Sequence, residues 1–266
     1  MIKRAFDQNP IPQTDTILKY TGFKNKTDNR GRETELPLSK FNEVFTKHLN
    51  GEKDGPAFAA ALFSGTRTKD NLLSRSMVVL DIEHPKEIIS DDYLGSTGNN
   101  VPPSLEELQT RIMEQNARAI VHTSYSHKLE NPRYRVILPL KLPHVFPGLD
   151  DRLARNVALK IDQIVVELIA DDLGLRPFLD TSKLGASSIF YLPRVAKENL
   201  SKVGSFWTGG DFIDYDAYYA RAKDFFESLQ EAEESRIKLS LETGFDAAHH
   251  QEVHTDTLAL IQELRK

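Results

Sequence analysis

The sequence predicts a mixed α+β fold. An RRM-like (ferredoxin-like) βαββαβ core follows a small N-terminal α/β lobe and precedes a helical C-terminal tail. Three observations carry that expectation. Short apolar, β-branched runs of strand length recur at residues 77–83, 118–123 and 133–140. Stretches with apolar residues at helical spacing run from residue 104 onward and over 151–173, and the two periods distinguish strand from helix. With a short strand at 188–192, the order is strand, helix, strand, strand, helix, strand, which is that of the βαββαβ unit. One unit therefore spans 1–235, divided into a lobe (1–76), a core (77–215) and a helix (216–235), with a linker and helical tail over 236–266.

Each element has a local reason. Residues 14–23 suit a strand, and 24–35 form a polar, glycine-containing turn region. Residues 39–49 suit a helix with Ser39 as N-cap and Phe41, Val44, Phe45 and Leu49 on one face. The run 57–63 is expected as one buried strand between Gly55-Pro56 and Gly65. After 77–83 comes a long polar loop with Gly95, Gly98, Pro102 and Pro103, then a helix opened by Ser104 and Glu107 at capping-box spacing. The strands 118–123 and 133–140 are joined by a turn at 126–132. The helix 151–173 places Leu153, Val157, Ile161, Ile164, Val165 and Leu168 at helical spacing, with Asp171 and Asp172 at its solvated end. The strand at 188–192 is expected to pair beside 77–83. A strand pair at 204–208 and 212–213 crosses Gly209-Gly210, with Asp211 in the turn. Asp214 caps a helix over 214–234, and a linker over 236–251 leads to a last helix over 255–265. The chain stops within a helical pattern, so an excised domain, or a tail serving a helicase or helix-bundle partner, is expected.

The totals exclude several classes. A chain of 266 residues with 39% hydrophobic and 27% charged content has the makings of a globular core. No apolar run approaches the roughly 18 residues of a membrane span, and the start lacks a secretory signal. With no cysteine there is no disulfide and no zinc thiolate site, and a cytoplasmic protein is the expectation. A net charge of -5 argues against a broad basic surface for duplex DNA but leaves room for a local basic channel.

The chemistry concentrates at three places. The first is Met77-Val78-Val79-Leu80-Asp81-Ile82-Glu83, which ends in two carboxylates two residues apart. Side chains at i and i+2 of a strand share a face, so Asp81 and Glu83 project side by side. Like charges that close resist ionising unless a cation sits between them, and Mg²⁺ or Mn²⁺ favours oxygen ligands. The alternative is that both acids face solvent where the strand ends. The second place is the turn from His122-Thr123-Ser124-Tyr125-Ser126-His127 to Pro132-Arg133-Tyr134-Arg135. It sets Arg133 and Arg135 on one strand face, an arrangement that suits phosphate oxygens. The alternative is a solvated turn in which His127 caps the hairpin. The third is Asp180 in Leu179-Asp180-Thr181-Ser182, either a third carboxylate for a two-metal site or the start of an Asx turn.

Taken together, these motifs resemble the archaeo-eukaryotic primase superfamily. The run 78–83 is similar to its first motif, 124–127 to its second, and Leu179-Asp180 to its third. The primase-polymerase domains of plasmid and phage replication proteins show a similar order: a T-S-x-S-H turn, P-R-x-R, D-x-S and F-Y-L-P. Here these stand at 123–127, 132–135, 180–182 and 190–193, so the resemblance covers about residues 55–215. It implies a nucleotidyltransferase that joins nucleotides on a single-stranded DNA template. Asp81, Glu83 and Asp180 would be catalytic and hold two Mg²⁺ or Mn²⁺ ions. Ser124, Ser126, His127, Arg133 and Arg135 would bind the dNTP or NTP. Arg67, Lys69 and Arg75 would contact template phosphates, with a helicase as a further partner.

Two other classes compete. A metal-dependent nuclease or rolling-circle initiator would use the same acids, but initiators need a His-x-His pair and His122 and His127 are five apart. A non-catalytic RRM-like nucleic-acid-binding module reads bases with aromatics on its central strands; here only Tyr134 and Tyr191 are available as stackers.

Overall fold

In the computed structural model the described residues are 15–84, 101–196, 199 and 202–243. The loop with Gly95 and Gly98, part of the expected linker and the 255–265 helix lie outside them. Two antiparallel sheets and four helices make up the mixed α+β fold among the described residues. The lobe contains β1 (Ile17–Phe23), β2 (Arg32–Pro37), α1 (Leu38–Thr46), β3 (Leu49–Asn50), β4 (Ala57–Ala59) and β5 (Ala61–Phe63). The core adds β6 (Leu72–Ile82), α2 (Leu105–Glu114), β7 (Ile120–Thr123), β8 (Tyr134–Val145) and α3 (Arg152–Asp172). Beyond them follow β9 (Phe190–Tyr191), β10 (Arg194–Val195), β11 (Ser205–Trp207) and α4 (Tyr215–Thr243).

The five-stranded sheet runs β11-β7-β8-β6-β5 and the four-stranded one β2-β1-β4-β9, while β10 pairs with β3. The first strand, helix and hairpin of the expected βαββαβ order are present as β6, α2, β7 and β8. The closing strand is not where it was expected: β9 pairs with β4 in the other sheet. The expected single strand over 57–63 is two strands in two different sheets, parted only by Ala60.

Alternation along β6 explains why it holds both layers together. Val78, Leu80 and Ile82 pack with the helices, beside Ile161, Val165 and Phe226. Met77 and Val79 pack with the lobe, beside Phe41, Phe45 and Phe58. A strand buried on both faces reads as an unbroken apolar run. Two buried hydroxyls staple the layers: Thr21 Oγ1 donates to Ala61 O at 2.7 Å, and Ser76 Oγ donates to Lys19 O at 2.5 Å.

Several local expectations change. Residues 32–35, expected within the turn region, belong to β2 on an exposed sheet edge. Helix α1 starts at Leu38 rather than after Ser39, because Asp15 accepts from the Ser39 amide at 3.1 Å and from its hydroxyl. Val44, Leu49 and Leu153, expected on buried faces, are exposed. Helix α4 runs on to Thr243 where a linker was expected from Arg236. The capping box is as expected: Ser104 Oγ accepts from Glu107 N at 3.2 Å and Glu107 Oε2 accepts from Ser104 N at 2.7 Å.

Arg75 requires a correction, since it was expected on template phosphates. The β6–β8 register jumps between Arg75 and Met77, and such irregularities re-aim side chains. Arg75 is buried, 2.5 Å from Asp162 Oδ1 of α3. Tyr215 donates its hydroxyl to the same oxygen at 2.6 Å. Removing one partner of a buried pair leaves an uncompensated charge, at a cost of about 3–5 kcal/mol. Arg75→Met should therefore lower unfolding stability in urea by that amount, while single-strand affinity of the folded protein stays unchanged.

Candidate active site

The end of β6 sets the site. Leu179 forms an antiparallel bridge with Ile82; Glu83 N donates to Phe178 O and Asp180 N to Asp81 O, both at 2.9 Å. That register puts Asp180 directly opposite Asp81, and directly opposed residues point to one face. On its other side Asp81 faces Arg135, Arg135 faces His122, and His122 faces Ser205. One polar row thus crosses the sheet where the apolar pattern of β6 runs out, on the face turned towards the lobe.

The carboxylates share this face without converging. Asp81 Oδ1 lies 3.2 Å from Arg135 Nε, and Glu83 Oε2 lies 3.1 Å from Arg133 Nη2. Asp180 Oδ1 accepts from Ser182 N at 3.0 Å and Ser182 Oγ at 2.7 Å, so its side chain caps its own turn. Among the described residues no three His, Asp or Glu side chains are grouped so as to hold a metal ion as they are oriented.

A cavity of about 170 Å³ opens beside Asp81 and Glu83. Ser124, Tyr125 and Ser126 of the hairpin line it, while Asp180 and His127 do not. Five basic side chains surround it: Lys53, Arg133, Arg135, Lys183 and Arg194. This excess of cations stands out in a chain of net charge -5. Lys53, Lys183 and Arg194 escaped sequence reasoning. Lys183 lies three residues after Asp180, and Arg194 directly follows the 190–193 segment, so proximity to the motifs was the available signal. Lys53 is carried by the Gly51–Gly55 loop, which closes over Arg194: Arg194 Nη1 donates to Glu52 O at 3.0 Å, and a Cβ on Gly55 would stand 2.2 Å from that nitrogen.

The remaining expected residues divide. Ser124 is buried, and its amide donates to Arg133 O at 2.9 Å. His127 Nδ1 accepts from Arg133 N at 3.1 Å, the hairpin-capping role, and burial pushes its pKa down. Lys69 is exposed. Arg67 is half-buried and donates to Ser187 O at 3.0 Å. Tyr134 is buried, with its hydroxyl donating to Pro103 O at 3.0 Å, so it offers no stacking face.

Behind the site lie two histidines. His122 is fully buried; burial first, and then the Arg135 charge, hold its pKa well below the usual imidazole value. His48 Nε2 lies 3.0 Å from both Thr123 O and Thr123 Oγ1, and burial lowers its pKa too.

No protein-family model matches the chain, and no curated protein matches it. Among solved structures it is similar to the AEP domain of the cyanophage S-2L primase-polymerase (PrimPol), at 8% identity, with 77% of this chain and 87% of that one covered and a TM-score of 0.34. So loose a likeness carries no argument, and the functional case rests on the site. No helix of the described residues is long and apolar enough to cross a membrane.

The histidines generate a pH dependence. An imidazole held neutral in the folded state takes up its proton more readily when the chain unfolds. Stability is then full above the ordinary value of 6.5 and falls as pH drops below it. His122 alone should contribute a slope of about 1.4 kcal/mol per pH unit below that point. Chemical unfolding followed from pH 7.5 to 5.5 should show the decline, and His122→Gln should flatten it.

Proposed function

We propose that this protein is a template-directed nucleotidyltransferase, a DNA primase-polymerase that joins dNTPs or NTPs along a single-stranded template during replication of a plasmid, phage or similar element. The observation that carries the reading is the register at the end of β6. It brings Asp180, remote in sequence, opposite Asp81 with Glu83 on the same face, beside a cavity ringed by five cations.

The donor set suits a hard divalent cation, since all three groups offer carboxylate oxygens. Asp81, Glu83 and Asp180 would hold Mg²⁺ or Mn²⁺, which when bound lowers the pKa of an attacking 3′-hydroxyl and steadies the leaving pyrophosphate. The chain's own residues prepare the ground. Arg133 and Arg135 keep Glu83 and Asp81 neutralised on a half-buried face. With a cation held by the carboxylates, Arg133 and Arg135 would be available to phosphate oxygens, which a guanidinium fits bidentately. Lys53, Lys183 and Arg194 add charge for a triphosphate, and Ser124 and Ser126 stand at the cavity wall. His127 acts through the hairpin, by fixing the amide of Arg133.

The test is nucleotide incorporation by the purified chain on a primed and an unprimed single-stranded template, with Mg²⁺ and with Mn²⁺. Asp81→Asn and Glu83→Gln should reduce incorporation by at least a hundredfold, and should also abolish the rise in Tm that Mn²⁺ gives the wild type. Near-normal extension by Asp81→Asn would overturn the assignment. Metal-dependent loss of the template in place of extension would assign the same carboxylates to a nuclease.

A further inference from the structure

The geometry points to Tyr191 as a stacking platform for a nucleobase, on the lobe wall next to the acid-bearing cavity; the inference rests on the polymerase reading for the identity of the ligand. Alternation along β9 sends Phe190 into the lobe core and Tyr191 to the opposite face. There its ring packs against the cluster of Phe23, Ala57 and Ala59. Tyr191 lines the cavity and also a second, more open groove of about 640 Å³. Lys53 is the other residue common to both.

The residue is held at both ends. Its carbonyl accepts from Arg135 Nη1 at 3.1 Å. Its hydroxyl donates to Asp54 Oδ1 at 2.7 Å, while Asp54 Oδ2 accepts from Lys26 Nζ at 2.9 Å. A residue whose backbone is tied to the arginine of Asp81, and whose ring packs on the lobe and is tied through its hydroxyl to a lobe ion pair, is preorganised, and a ligand spends little on ordering it.

Size decides where a base can go. The inner cavity, at about 170 Å³, falls short of the roughly 300–1,000 Å³ typical of small-molecule sites. It has room for the phosphate end of a nucleotide beside Arg133 and Arg135. With the phosphates there, the rest of the nucleotide exceeds that space and extends along Tyr191, which lines the cavity and is the aromatic residue of the groove. An aromatic face beside a lysine is the pairing that binds single-stranded nucleic acid, with the ring under a base and the cation on a phosphate. The base can belong to the incoming nucleotide or to the strand, and the two sources separate experimentally.

Two variants isolate the ring. Tyr191→Phe keeps the aromatic face and loses the Asp54 hydrogen bond. Tyr191→Leu keeps apolar contact with Phe23, Ala57 and Ala59 and loses the π face. Two measurements are made on each, at matched Tm: anisotropy of a labelled oligo-dT without nucleotide, and the apparent KM for nucleotide on a primed template. Tyr191→Leu should weaken at least one of them by roughly tenfold, with Tyr191→Phe within about twofold of wild type. A loss in oligonucleotide binding assigns the strand base; a loss confined to KM assigns the incoming base. Tyr191→Leu equal to wild type in both, or Phe and Leu impaired alike, overturns the platform. If the wild type incorporates no nucleotide, the polymerase reading fails and oligonucleotide binding alone decides the role of Tyr191. A wild type that also binds no oligonucleotide overturns both.

Discussion

Everything in the molecule is organised by a strand with two dry faces. Strand β6 gives Val78, Leu80 and Ile82 to the helical layer and Met77 and Val79 to the lobe. A strand filled on both sides cannot slip by one residue, because a slip would exchange the two sets of side chains. The same lock that aligns the apolar residues fixes the parity of Asp81 and Glu83, which continue the lobe-facing series just where the lobe stops covering it. The two carboxylates are thus placed by the packing of apolar residues that precede them.

The charges around that point are paired across the sheet. Asp81 and Glu83 are each about four-fifths covered and held by an arginine from the neighbouring strand. Taking such carboxylates out of water is unfavourable without a partner, and the arginines supply one. Further basic groups arrive from unrelated segments: Lys53 from the lobe, Lys183 from the turn after Asp180, and Arg194 from the start of β10. Basic groups are thus gathered locally in a chain of net charge -5.

What the sequence revealed and what it hid follow from range. The 77–83 strand, the Ser104–Glu107 capping box and the shared face of Arg133 and Arg135 depend on residues a few positions apart, and they were legible. Strand β2 was not, because Arg32-Glu33-Thr34-Glu35 lies on an exposed edge and carries no apolar alternation. The break at Ala60 was hidden in an alanine-rich run without a glycine or proline to mark it. Arg75 was expected ahead of a strand starting at Met77; the strand starts at Leu72, and Arg75 lies inside it, beside the register jump, against a remote Asp162 that no local pattern announces. Lys53 and Arg194 entered the site through the meeting of lobe and core, which no short window contains. Asp180 was expected to come near Asp81 through a full closing strand; a lone bridge at Leu179 sets it opposite Asp81, and its side chain takes the turn-capping alternative.

The passage of the chain from β4 to β5 has a mechanical consequence. Only Ala60 separates a strand of one sheet from a strand of the other, and hydroxyls on Thr21 and Ser76 pin the seam nearby. So short a tether has no slack. A pull on one sheet is therefore passed to the other across a single residue rather than taken up by an intervening loop.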